Sequence, residues 1–337
     1  LFYKEDNKVE QITSMARTAF NKVRRNLKLG DILSDIIAEN NMVDLVYYVD
    51  KGGSATADGL SIENALDTVQ AAVTLATAIG NKGKNIDIYV NSGSYNEAVV
   101  IPDCNSEGLT GMMASIADSG ELRIIGVGRV RIYQGDDATA PTISVLRPSV
   151  KLINLTVQAA SDNAAVYDIC DNNTGAGGDY DNGFGAGLEV IGCNIRGGGP
   201  DDTPADGSIG LKLCGALKTK VIGCVIECFV TGIEFTGSNV NYALYNVIED
   251  CDFDGNTNDI SADGVQYSYV KNCNFYNASA TAHLTTAGAT ACTACKIIGG
   301  SVMEANLTKF VGVAGWGAVG VMGAAEQPLL YDLDLTS

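Results

Sequence analysis

An all-β solenoid is the fold class that this sequence predicts, and three observations predict it. Five times in the second half of the chain, a short β-rich run is broken by one Gly, Asp or Asn and then resumes with a small residue and another strand-forming stretch. The breaks fall at Gly192, Gly223, Asp250, Asn272 and Gly299, and an earlier copy, Leu152 to Val157, carries its break at Asn154. The five recur at intervals of 22 to 31 residues, the length of one coil built from strands rather than helices. The chain also has 39 Gly against 6 Pro in 337 residues, a balance suited to many tight turns.

Each break has a conformational reason. Gly, Asn and Asp tolerate the left-handed backbone region, so each supplies a one-residue bend between two strands at little steric cost. Such a bend reverses the in-out alternation, so that Val190 and Cys193 both point inward although they are three apart. Cys193, Cys224, Cys251 and Cys273 occupy the same place just past the bend. They read as reduced, buried, small apolar residues stacked in a ladder. Cys292 and Cys295 have the spacing of a redox or metal half-site, but there is no second pair and His283 is the single histidine.

With these bends and ladders, the sequence resembles the right-handed parallel β-helix family, the pectin-lyase-like fold, over roughly residues 47–315. The resemblance implies three short strands per coil. In the second repeat these are Ile209 to Leu213, Lys220 to Ile222 and Cys224 to Glu227, and the chain then moves on to Gly232 to Phe235. Coils stacked at the spacing of neighbouring strands, about 4.8 Å, make a rod of about 40 Å.

Residues 1–46 have a different character. Val9, Ile12, Met15, Ala16, Ala19, Phe20, Val23 and Leu27 recur at three and four, the pattern of an amphipathic helix. Gly30 would stop it and Asp31 could cap a second helix, Ile32 to Glu39. The apolar stripe either folds back on the solenoid end or assembles with copies of itself, and we read the segment as an assembly or attachment element. Residues 47–80 read as an N-terminal cap, with a helix starting at Ser61 to Asn64 and turning Leu66, Val69, Ala72, Val73 and Ala76 onto the first coil. Ala71 to Ile79 belongs to this packed helix. Tyr47 to Asp50, Asp58-Gly59-Leu60-Ser61 and Gly93-Ser94-Tyr95-Asn96-Glu97 resemble the opening module of many pectin-lyase-like proteins, in which the Gly-x-Tyr-x-Glu turn is architectural. Residues 316–337 read as a C-terminal cap or a link to a further region.

Charge and composition narrow the partners. A net charge of −18 argues against nucleic acid or an anionic membrane surface, which both demand a basic face. No stretch approaches the ~20 apolar residues of a membrane span. The cap resembles that of pectin methylesterases, yet their downstream Gln-Asp-Thr and Asp-Phe-x-Phe-Gly motifs are missing. One histidine gives little support to a Ser-His-Asp constellation. Any chemistry should therefore rest on carboxylates.

Two kinds of candidate site follow. If Tyr167/Ile169, Leu211/Leu213, Ile233/Phe235, Ile260/Ala262 and Ala282/Leu284 point inward, Asp168, Lys212, Glu234, Asp263 and His283 form one outward stripe. Glu234 and Asp263 would lie on adjacent coils, within reach of the carboxyl separations used in glycoside hydrolysis, and the resemblance to uronate lyases of this fold, which use Lys or Arg as base, implies that role for Lys212. Binding residues are expected on two long loops. Asp171 to Phe184 carries Asp179, Tyr180, Asp181 and Phe184, and Gly197 to Gly207 carries Asp201 and Asp202; Asp168 lies beside the first. Asp252 to Asp259 is rich in oxygen ligands, but its Gly falls at the fourth place, unlike an EF-hand loop, and we expect neither a metal nor another cofactor.

The resemblance extends to bacteriophage tailspikes and fibres, which implies a homotrimer within a virion that contacts other virion proteins through residues 1–46 and binds host surface polysaccharide. A non-catalytic capsid decoration or neck and baseplate protein is one alternative. A secreted polysaccharide lyase or glycoside hydrolase is another.

Overall fold

The computed structural model describes residues 43–81, 83–102, 120–135, 140–159, 164–169, 187–197, 207–236, 243–276, 281–285, 292–302, 316–319, 321–322, 328–330 and 333–334. The expected helices within residues 1–46 lie outside these.

Short strands stack in parallel, each on its counterpart one coil away. In one sheet, Leu152, Val190, Val221, Ile248, Val270 and Ile297 are successive register partners, and all are buried. Past the bend, Val157, Ile195, Ile226, Phe253 and Phe275 form a second buried column. A seven-stranded sheet closes the coil on another side, where Leu211, Ile233, Ile260 and Leu284 are aligned. The chain is thus a parallel β-helix. Each fully buried Val, Leu, Ile or Phe contributes about 1.5–3 kcal/mol, so the columns hold the coils together more than any surface contact does.

The predicted bends are where the sequence places them. Asn154, Gly192, Gly223, Asp250, Asn272 and Gly299 all have φ between 52° and 64°. Their amides reach the next coil, as from Gly192 to the Ile222 carbonyl at 2.8 Å and from Asn272 to Ile298 at 2.8 Å. A second ladder of left-handed residues precedes the first by five positions. It comprises Ser149, Gly187, Lys218, Tyr245, Tyr267 and Ala294, with φ from 50° to 77°. Here bulky residues accept the strained conformation, because the flanking strands already fix the bend.

The N-terminal cap differs from expectation at its helix. Helix α1 spans Val69–Ala76 and starts after Ser61 to Asn64. The reason lies in the preceding backbone: Tyr48 donates to Gly59, Leu66 donates to Tyr48 and Asp50 donates to Leu66. Gly59 and Leu66 are thus tied to the strand Leu45–Val49, and Ser61 to Asn64 between them close a tight turn in which Asn64 N donates to Ser61 O at 3.2 Å, so the helix begins only after Thr68, whose hydroxyl accepts from Ala71 N and caps it. Val69, Ala72, Val73 and Ala76 are buried at helical spacing.

Glu97 completes the cap. Its carboxylate accepts from Val69 N at 2.9 Å and Gln70 N at 2.8 Å, at the positive end of α1. Tyr95 is fully buried and donates its hydroxyl to Asn91 O at 2.8 Å, so both residues of the Gly-x-Tyr-x-Glu turn are architectural. Glu97→Ala is expected to cost about 1.5–3 kcal/mol, the scale of hydrogen bonds to a charged group, with Glu97→Gln intermediate. Thermal unfolding of the two variants checks this.

Ion pairs tie each coil to its neighbour. Arg123 lies 2.6 Å from Asp87, Lys151 2.8 Å from Glu121 and Lys220 2.7 Å from Glu189. Burial opposes ionisation of Glu189, but Lys220 and Lys151 outweigh it and hold the carboxyl below its ordinary pKa. Its contribution is present above the unfolded pKa and is lost as pH falls through the lower folded value.

The solenoid continues through Trp316–Val319, which pairs in parallel with Cys295–Ile298. Antiparallel pairs made by Pro328–Leu330 and Leu333–Asp334 follow.

Candidate functional site

Register along the seven-stranded sheet decides what the outward stripe contains. Lys212 and Glu234 are level partners, and their Nζ and Oε1 atoms are 3.6 Å apart. Glu234 also accepts from the Thr236 hydroxyl at 3.2 Å. In the next coil the residue level with Glu234 is Ser261, not Asp263. Asp263 stands two residues further along, roughly 7 Å down the strand, so the two carboxylates are not an opposed pair.

Two other members of the stripe move. Tyr167, rather than Asp168, is level with Lys212, and Asp168 is level with the buried Leu213. Val166 takes the interior column between Ile143 and Leu211, which shifts the alternation of that strand by one. His283 is buried and does not face solvent; its Nδ1 lies 2.6 Å from Asp259 Oδ2. The pair occupies the column that holds Gly210 and Gly232 in earlier coils, where a side chain added to either glycine would meet Ile226. There it packs against Phe275, whose ring centre is 5.2 Å from the imidazole. Asn256 donates to Asp259 at 3.0 Å. Burial raises the Asp259 pKa, against the opposing bonds from His283 and Asn256.

Asp179, Tyr180, Asp181, Phe184, Asp201 and Asp202 lie outside the described residues. Among the described residues, no cluster of three or more His, Cys, Asp or Glu side chains could hold a metal ion. None of their helices is long and apolar enough to cross a membrane.

The cysteines form the ladder expected of them. Cys193, Cys224, Cys251 and Cys273 are free and buried, and their thiols point at the carbonyls of Leu152, Val190, Val221 and Ile248 in the preceding coil. Cys292 and Cys295 are free and buried as well, with thiols toward Ala262 and Val265. Burial pushes the Cys295 thiol up to about 11 and raises that of Cys193 well above the usual range. Such thiols are poor nucleophiles and act as spacers.

Sequence reasoning missed an exposed aromatic pair on the second bend ladder. Tyr245 and Tyr267 stack with ring centres 5.5 Å apart and planes at 17°, yet they stay 53% and 45% exposed. Tyr269, two residues on, is 41% exposed. The available signal was their constant distance, five residues, ahead of the bends at Asp250 and Asn272.

With its coils defined by parallel register and two ladders of left-handed bends, the chain falls in the class of parallel β-helix proteins. No protein-family model matches it, and no curated protein does. Among solved structures it is similar to the pectin methylesterase of Aspergillus niger, at 14% identity over 85% of this chain and 87% of that one, with a TM-score of 0.41. A rhamnogalacturonan lyase matches at 11% identity over 83% and 73% of the two chains, with a TM-score of 0.47. The Dettilon tailspike protein matches at 12% identity over 85% and 68%, with a TM-score of 0.26. At these values no activity transfers to this chain.

Proposed function

We propose that this chain is the rod of a bacteriophage appendage of the tailspike or fibre type, folded in the host cytoplasm, trimeric, and bound to host surface polysaccharide. The observation that carries the reading is the cysteine ladder. Thiols stacked one coil apart in the core suit a chain that folds under reducing conditions, whereas in an oxidising compartment neighbouring rungs would be exposed to cross-linking during folding. A virion protein meets the reducing condition and a secreted enzyme does not.

In this reading residues 1–46 join the copies and attach them to other virion proteins. The loops bearing Asp179, Tyr180, Asp181, Phe184, Asp201 and Asp202 contact the polysaccharide. Lys212 and Glu234 form an ion pair on the face of the rod, with Ser261 level with Glu234 in the following coil.

Two measurements test it. Alkylation under denaturing conditions should find the ladder thiols fully reduced in protein taken from the cell; disulfides among Cys193, Cys224, Cys251 and Cys273 would overturn the compartment argument. Light scattering should give a trimer for the full chain and a monomer once residues 1–40 are removed. A monomer in both forms would sink the appendage reading.

A further inference from the structure

We propose that the open face of the Tyr267 ring is a binding site for a neutral pyranose of a glycan chain, flanked by Tyr269 and Lys296. This rests on the glycan-binding part of the proposed function but uses neither the two long loops nor the Lys212 and Glu234 stripe.

The bend does not itself require a tyrosine. Gly187 and Ala294 make the same turn in other coils, whereas Tyr245 and Tyr267 make it at φ of 57° and 50°, a conformation in which bulky residues are rare. Two strained aromatic residues on adjacent coils, stacked yet about half exposed, give the surface a flat apolar platform that packing alone does not explain.

One end of the stack is left open by the sequence. Tyr267 N donates to Thr293 O, which places Ala294 at the equivalent bend of the following coil. Ala294 is exposed and has only a methyl where a third ring would continue the stack. A ligand ring stacked on Tyr267 would take that place, at the spacing that already separates the two tyrosines. Tyr269 and Lys296 are level partners on adjacent coils, and both are exposed. They stand two residues past the bends at Tyr267 and Ala294, and their hydroxyl and ammonium groups suit the edge of a sugar, whose C–H face matches the tyrosine ring.

Charge selects the ligand further. A net charge of −18 repels a densely anionic polymer and disfavours a nucleobase, which arrives with phosphates. A neutral glycan meets no such barrier, and the repeating coil suits a repeating chain.

The test is binding of the full chain to an array printed with neutral and acidic oligosaccharides, comparing wild type, Tyr267→Ala and Ala294→Tyr. The second variant is built to fold, since tyrosine already occupies this bend in two coils, and an unchanged unfolding midpoint would verify that. Wild type should bind neutral glycans, and each variant should bind them about two- to tenfold more weakly, the scale of one lost stacking contact. Wild-type affinity in both variants, or binding confined to acidic glycans, would overturn this site while leaving the glycan-binding reading in place. A wild type that binds nothing on the array would overturn both.

Discussion

Replacing His283 with alanine is expected to destabilise the β-helix by about 3–5 kcal/mol at neutral pH, because it leaves Asp259 buried with one of its two partners gone. Asp259 is fully buried, and its carboxylate is held by His283 at 2.6 Å and Asn256 at 3.0 Å. A loss of this size corresponds to a fall on the order of 10 °C in the unfolding midpoint. The pH dependence identifies the cause. A carboxyl whose folded pKa is raised binds its proton more tightly in the folded state, so its contribution is full below the unfolded pKa and declines as pH rises through the folded one. Loss of His283 removes a bond that lowers this pKa, so it rises further in the variant. The variant should therefore regain part of its deficit as pH falls and Asp259 takes up a proton. A deficit that is constant with pH would show that only packing against Phe275 was lost. Replacing both members with apolar residues, Asp259→Val with His283→Leu, should recover most of the stability, since no charge is then buried.

Phe253→Ala is expected to cost a similar amount, about 3–5 kcal/mol, through the cavity it leaves. Phe253 is fully buried and stacks on Phe275 with ring centres 5.1 Å apart and planes at 11°. Its column holds Ile195 and Ile226 in earlier coils, so an aliphatic residue suits the position. Phe253→Leu should accordingly cost less than about 1.5 kcal/mol. Because Phe275 touches both Phe253 and His283, the costs of Phe253→Ala and His283→Ala should not add; a coupling of about 0.5–3 kcal/mol is expected for such neighbours. Chemical unfolding of the two single variants and the double variant measures it. Strict additivity would mean that the two ends of this cluster relax independently.

Some of this architecture was legible because a single residue carried the signal. Gly223, Asp250 and Asn272 could be read as bends from residue type alone, since few residues accept a positive φ. The cysteine ladder followed, because the bend fixes which residue after it turns inward. Tyr95 and Glu97 were readable as architecture from the turn that contains them, although that Glu97 bonds the first amides of α1 was not.

Other features depend on partners distant in sequence. The second bend ladder escaped notice because Lys218, Tyr245, Tyr267 and Ala294 share no chemistry; what they share is a place relative to the first bends. The start of α1 differs because Ser61 to Asn64 resembles a helix cap locally, while the adjacent strand holds Gly59 and Leu66 on either side and closes the four residues into a turn. His283 is an outward residue by alternation, but the column it joins is interior: its earlier places are held by the buried Thr142 and Ala165 and then by Gly210 and Gly232, where an added Cβ would meet a backbone carbonyl, and the following coils place Asp259 and His283 there.

By itself, then, the sequence determined that the chain winds into coils, where each coil bends and which small residues line one corner, because these are properties of the local backbone and of period. Only the tertiary structure decided which residues of one coil stand level with those of the next. Register depends on loop lengths and on how interior volumes match, and a shift of one residue exchanges the two faces of a strand. For that reason the expected pairing of Glu234 with Asp263 gave way to Lys212 with Glu234, and the exposed tyrosine pair became visible once its coils were stacked.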